Sequence, residues 1–395
     1  MKILWAAALM CLLPVLAPVG AADLQSSLEL AVPAPPTPVN VGGETRLVYE
    51  LHLTNFSPDR VMLKSIEVRD AKSGRAVGRF ADADLAALLG HPGPKTGPTD
   101  PRVIEPGMRA VSYFWIAVGK GATVPRTLTH RVSFDLLHSG INLPVVTDGG
   151  TTTVSIRSPP VLGPPLRGGP WVAVYDPGMS RGHRRMLFAV NGRADIPARF
   201  AVDWFKVDTN GKLAHGDESV TAHWYGYGAD VLAVADATVV AVRGNMPEST
   251  SVSMHHNALQ NASGNFVVLD LGSDRYAFYE HLKPGSLKVG AGDHVTTGQV
   301  IASLGYTGDS TGPHLHFHVA DGPSPLGAEG LPYVIRDFEV LGDYGTIEAF
   351  AAGRPWTPPQ KHPDSRSMQF PVANAVIRFA PCPPASSGQE RTCGG

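Results

Sequence analysis

Charge, cysteine and long apolar runs are all scarce in this 395-residue chain, and each scarcity removes a class of function. Charged residues make up 17% of the sequence and the formal net charge is −2, with no lysine/arginine cluster. Nothing in the electrostatics therefore draws the chain to nucleic acid. The apolar run Ile3–Leu16 is short for a spanning helix and is broken by Pro14, so no retained membrane span is expected. With Lys2 before it and Gly20-Ala21-Ala22 after it, residues 1–22 read as a signal peptide. That implies an exported protein, periplasmic or extracellular. Of the three cysteines, Cys11 lies inside this run and lacks the small residues that precede a lipid-attachment cysteine. Cys382 and Cys393 remain, flanked by Pro, Ser and Gly, and are expected to close one small disulfide loop.

Turn-formers are plentiful instead. Forty-three glycines and 35 prolines point to many short strands rather than long helices, and the length suggests two domains with extensions. From 23 to 157, short segments of period two alternate with turns. Leu47, Tyr49, Leu51 and Leu53 share one strand face, and Leu128, His130, Val132, Phe134 and Leu136 share another. Val61–Val68 and Val111–Val118 lie between them, with a short helix expected over Asp82–Leu89. This spacing predicts an antiparallel, immunoglobulin-like β-sandwich. His52, His130 and His138 are scattered within it and form no catalytic constellation. The domain reads as a spacer or a partner-binding module. Residues 158–170, with Pro159-Pro160, Pro164-Pro165 and Gly168-Gly169-Pro170, read as a linker, and 346–395 as a Pro/Ser/Gly-rich tail.

The second domain, 171–345, holds the chemistry. A turn-rich loop, Gly305–Pro313, leads into strict alternation: His314, His316 and His318 against Leu315, Phe317 and Val319. The three imidazoles share a strand face at roughly 6.6 Å spacing. Two adjacent ones can meet at one metal ion, and buried imidazoles require partners in any case. Gly264–Asp270 and Arg275–Leu282 read as a hairpin across Gly272-Ser273-Asp274 that delivers His281. Gly308-Asp309-Ser310-Thr311-Gly312 fits the Gly-x-Ser-x-Gly pattern, but that serine needs a helix after it, and here Pro313 and a strand follow. His255-His256 and His215-Gly216-Asp217 read as surface loops. Asn261-Ala262-Ser263 is a glycosylation acceptor only in a host that glycosylates exported proteins.

Four pieces in order resemble the lysostaphin/LytM-type zinc metallopeptidases over roughly 186–320: Asp203 after an alternating segment, Gly228–Val240, Tyr279-Glu280-His281-Leu282, and Ser310-Thr311-Gly312-Pro313-His314-Leu315-His316-Phe317. The resemblance implies an all-β fold whose second domain is a glycine-rich antiparallel β-core of the duplicated hybrid motif, lipoyl-like type. It also implies one zinc ion, Asp203 and His316 as metal ligands, His281 and His314 as catalytic residues, and peptidoglycan peptides as substrate. The family's His-x-Gly-x-Asp segment is altered, with Arg199 at the histidine position and Ala201 at the glycine. A guanidinium has no lone pair to donate. Arg199 is expected to repel a dication or to pair with Asp203, since a unit charge at 4 Å is worth about 4 kcal/mol at an effective dielectric of 20. His318, His223 and His183 are the candidate stand-ins for the missing ligand. Two functions follow: a secreted zinc endopeptidase of cell-wall cross-bridges, or an inactive relative acting as a cell-wall binding or regulatory module.

Overall fold

The computed structural model describes residues 27–93, 97–119, 121–180, 182–253, 257–359 and 364–379. The expected signal peptide, Cys382, Cys393 and His255-His256 lie outside these residues. The chain is almost entirely β, with short helices at Asp82–Leu88 and Ile347–Ala351 among the described residues. No described helix is long and apolar enough to cross a membrane.

The N-terminal unit consists of two antiparallel sheets. One orders the strands Leu28–Ala31, Glu44–Asn55, Arg109–Ala117 and Leu89–Gly90, and the other orders Ile141–Thr153, Thr127–His138, Arg60–Asp70 and Ala76–Ala81. Their alternating apolar faces supply one shared core: Leu47, Tyr49, Leu51 and Leu53 from the first, Leu128, Val132 and Phe134 from the second. His130 belongs to the same face and is fully buried. The Tyr49 hydroxyl and His130 Nε2 are 2.8 Å apart, and His130 Nδ1 lies 3.0 Å from the Gly150 carbonyl. A neutral imidazole, donating through Nδ1 and accepting through Nε2, satisfies both contacts. Burial lowers its pKa to about 4.

Period two makes one face of Glu44–Asn55 core; its other face is buried too. Val48, Glu50 and His52 are covered, and Val39, Val41 and Val48 join the apolar cluster of the second unit. The two units therefore share a packed boundary.

The second unit is built on a long mixed sheet. Its central order runs Trp171–Val174, Val202–Lys206, Leu315–Ala320, Tyr276–Leu282, Asn265–Asp270 and Ala237–Arg243, each pair antiparallel. Leu315, Phe317 and Val319 point into the core, as their spacing requires. The stretch expected to be a linker is built into this sheet: Val161–Leu162 pairs in parallel with Val334–Ile335, and Leu162 and Leu166 are core residues. Prolines there restrict pairing without preventing burial. The expected tail is likewise structured over the described residues 346–359 and 364–379. Ala375–Arg378 inserts between Trp171–Val174 and Val334–Asp343, and Phe370, Ile377 and Phe379 are buried. The apolar residues among the tail's prolines drive this docking.

Candidate metal centre

Neighbouring strands bring the site together. Asp203 on Val202–Lys206 stands opposite His316 on Leu315–Ala320, and Glu280 on the next strand stands opposite His316 on its other side. His316 Nδ1 lies 2.8 Å from Asp203 Oδ1. The third member is His183, on the single-turn helix His183–Arg185, with Nε2 3.5 Å from Asp203 Oδ2. One ligand atom from each of His183, Asp203 and His316 lies within 4.8 Å of the others, the only such group among the described residues. Two imidazole nitrogens and one carboxylate are a donor set that suits zinc with a fourth position open. His183 is also the most open of the three, its side chain 36% exposed.

The protonation of His183 and Asp203 fits that use, while Asp203 and Glu280 raise the His316 pKa against the effect of burial. The His183 pKa is lowered by desolvation against the pull of Asp203, although its edge reaches solvent, and an imidazole's lone pair is largely free at neutral pH in any case. Burial works against the Asp203 carboxylate, yet His183, His314 and His316 together hold its pKa well below the ordinary range. His316 Nε2 is 3.2 Å from His318 Nδ1, which leaves His316 Nδ1 directed at Asp203. Such outer partners fix which nitrogen a ligating histidine presents.

Two further imidazoles border the group. His281 Nδ1 is 2.8 Å from the Thr307 carbonyl, and His314 Nδ1 is 2.8 Å from the Gly312 carbonyl. A carbonyl only accepts, so both rings carry a proton on Nδ1; burial, with His314 and His316 nearby, holds the His281 pKa well below the ordinary histidine range. His314 Nε2 lies 3.3 Å from Asp203 Oδ1, and the His281 and His314 ring centroids are 4.8 Å apart. Phe205 stacks on His314 at 4.6 Å. His281 sits at φ +63°, a strained conformation for a residue with a side chain. Its backbone N–H donates to the Ser263 carbonyl, which helps to hold it there.

The structure sorts the candidate residues. His281, His314, Asp203, His316 and His183 converge. His318 does not join the ligand group: it stacks on Phe278 at 4.5 Å, with only its Nδ1 near His316. His223 lies in a separate cluster, its Nδ1 3.0 Å from the Asp217 carbonyl and its ring 5.1 Å from that of His215. Arg199 corrects the expectation drawn from spacing. It neither occupies the site nor pairs with Asp203. Its guanidinium is bound to Glu50 at 2.6 and 2.9 Å, to Glu329, and to the Gly330 carbonyl at 3.0 Å. Residues 197–200 form a turn rather than strand, which rotates Arg199 away before the strand begins at Val202.

Sequence reasoning missed Glu280, buried beside His316, whose pKa burial raises. It also missed the reason His183 lies so far upstream. A hairpin, Phe188–Val190 with Arg193–Asp195, separates it from Asp203. Asn191-Gly192, a strong turn signal, marked that hairpin in the sequence.

A cavity of about 150 Å³ adjoins the group, walled by Trp115, Tyr175, Met179 and Ile347 and reaching His183 and Asp203.

Residues 224–327, roughly a quarter of the chain, match the model of Peptidase family M23. The match takes in His281, His314 and His316, and leaves His183 and Asp203 upstream. No curated protein matches the sequence. Among solved structures, similarity is found to the catalytic domain of a point mutant of the prophage-encoded M23 protein EnpA from Enterococcus faecalis, at 17% identity and TM-score 0.25, over 44% of this chain and 92% of that one. The catalytic domain of the antimicrobial peptidase lysostaphin from Staphylococcus simulans is 23% identical, TM-score 0.22, over 42% and 88%. A zinc-containing peptidase from Vibrio cholerae is 15% identical, TM-score 0.26, over 77% and 86%. Likenesses at these scores carry nothing about activity.

Proposed function

From the Peptidase family M23 domain that this chain carries at 224–327, we propose that it is an exported zinc endopeptidase of bacterial peptidoglycan, cutting peptide cross-bridges. The observation that carries the reading is the convergence of His183, Asp203 and His316 donor atoms within 4.8 Å, beside the imidazoles of His281 and His314. His183, Asp203 and His316 would hold the ion. When bound, zinc supplies a Lewis acid and lowers the pKa of a water toward 7.

The remaining work belongs to the chain. Hydrolysis adds water across the scissile C–N bond, so one proton must leave the attacking oxygen and one must reach the departing nitrogen. The Nε2 atoms of His281 and His314 are placed to accept and return that proton. Their Nδ1–H bonds to Thr307 and Gly312 keep the tautomer fixed through the cycle. Once protonated, the same rings donate hydrogen bonds to the carbonyl oxygen as charge develops on it. The low exposure of His281, His314 and His316 keeps bulk water away from these bonds.

The inactive-relative reading drew on an arginine in the ligand position. With that guanidinium held by Glu50 and Glu329, this ground for it is removed. Zinc analysis of protein purified without chelator is expected to give about one ion per chain, and digestion of purified peptidoglycan is expected to release new amino termini. Metal-free protein, or zinc-loaded protein that releases none, sinks the proposal.

A further inference from the structure

We infer that the N-terminal two-sheet unit is part of the machinery that holds the metal ligands, with Glu50 as the positioning residue for His183. The inference rests on the zinc reading above and concerns how one ligand is kept in place.

The turn bearing His183 has little of its own to hold it. It is a single helical turn, its N-cap Gly182 offers no side chain, and the bond from Met186 N–H to the His183 carbonyl is long at 3.4 Å. Its restraint comes from the residues that follow, both anchored on the N-terminal unit. The Arg184 guanidinium is buried, donating to Glu50 Oε1 at 3.2 Å and to the Phe114 carbonyl at 3.0 Å, and it lies over the Trp115 ring at 5.5 Å. Arg185 donates to the Ala87 carbonyl at 2.8 Å and lies 5.2 Å from the centre of the Tyr113 ring, while the Tyr113 hydroxyl donates to the Arg185 carbonyl. With both arginines on one side, His183 is left facing Asp203.

Glu50 does a second job. Its carboxylate binds Arg199, four residues before Asp203, so one buried anion ties down both segments that deliver ligands. Arg184 Nε and Nη1 are buried without hydrogen-bond partners, and Glu50 is its only ion-pair partner among the described residues. Without that anion Arg184 would be a buried charge with no counterion, and the turn would leave its seat to solvate it.

The test is zinc affinity of the full chain, measured by competition with a chromophoric chelator, with hydrogen exchange of the amides at 182–186 as a second readout. Glu50→Gln keeps the volume and removes the charge. It is expected to weaken zinc binding about 10-fold, the low end of the loss seen for a direct partner of a ligand, since Glu50 acts one residue removed through Arg184, and to speed exchange in the turn. Tyr49→Phe, on the inward face of the same strand, loses a hydrogen bond within the N-terminal core and is expected to bind zinc like wild type. Should Glu50→Gln fail to fold, Arg184→Met replaces it, removing the tether while Glu50 keeps Arg199, with loss of affinity again expected. Wild-type affinity and exchange in the folded variant overturn the inference and leave the zinc reading standing. An equal loss in Tyr49→Phe also overturns it, since the effect would then be general destabilisation. Wild-type protein that takes up no zinc overturns both.

Discussion

Arg199 offers the sharpest test of how the site is built, because spacing and geometry assign it opposite roles. If it filled a ligand position, Arg199→His would restore a donor and raise zinc affinity. In the structure an imidazole there meets Glu50 and Glu329 instead. Arg199 is 7% exposed and its guanidinium is the shared counterion of two carboxylates, with Glu50 at 2.6 Å. Burial disfavours its charge, yet the two anions raise its pKa above the arginine range. At 3 Å and an effective dielectric of 20, each pair is worth about 5 kcal/mol before desolvation is subtracted. Removing one partner of a buried pair typically costs about 3–5 kcal/mol, because the remaining charge is left uncompensated.

Arg199→Met keeps much of the stem and deletes the charge, so a loss of about 3–5 kcal/mol is expected at pH 7.5. Denaturant unfolding followed by tryptophan fluorescence reads it as a lower midpoint. The pH dependence carries its own sign. Burial and Glu50 already raise the Glu329 pKa and Arg199 opposes them, so without the guanidinium the folded-state value of Glu329 rises further above the unfolded one. The folded variant then binds more protons than the unfolded chain, so its stability increases as pH falls. The deficit against wild type should narrow from pH 8 toward pH 5. An unchanged midpoint, a gap that widens on acidification, or an Arg199→His protein binding zinc more tightly than wild type would refute the placement of Arg199.

The other predictions concern the site and the N-terminal core. His183→Ala and His316→Ala should each reduce bound zinc from about one ion per chain to a small fraction, checked by elemental analysis; full occupancy in His183→Ala would mean that the ligand lies elsewhere. His281→Gln should keep its zinc while cleavage falls about 10²- to 10⁴-fold, the range for losing a proton-transfer group, measured by release of amino termini. His130 contributes to acid sensitivity. Its folded pKa of about 4 lies below the unfolded value, so the unfolded chain binds the extra proton and stability falls as pH drops from about 6.5 toward 4. That costs about 3 kcal/mol when complete. His130→Phe, with Tyr49→Phe to remove the orphaned hydroxyl, should flatten unfolding midpoints across that window.

What was legible in the sequence is what local chemistry encodes. Alternation at Leu315, Phe317 and Val319 fixed one strand face as core and placed His314, His316 and His318 together on the other. Glycine and proline punctuation located the hairpin that delivers His281. What escaped depends on contacts between residues far apart in the chain. The interval between Asp203 and His183 is not a local property, because a hairpin at Asn191-Gly192 lengthens it while the two side chains still meet. Counting back four residues therefore landed on Arg199, whose environment is set by Glu50, 149 positions away. The same non-locality hid the second buried face of Glu44–Asn55. Alternation shows that Leu47, Tyr49 and Leu51 face inward, but Glu50 looks like an ordinary solvated acid until Arg184 and Arg199 are seen against it. A charged residue on the outer face of a strand thus looks the same in sequence whether it meets water or another domain, and only the buried arginines opposite tell the two apart.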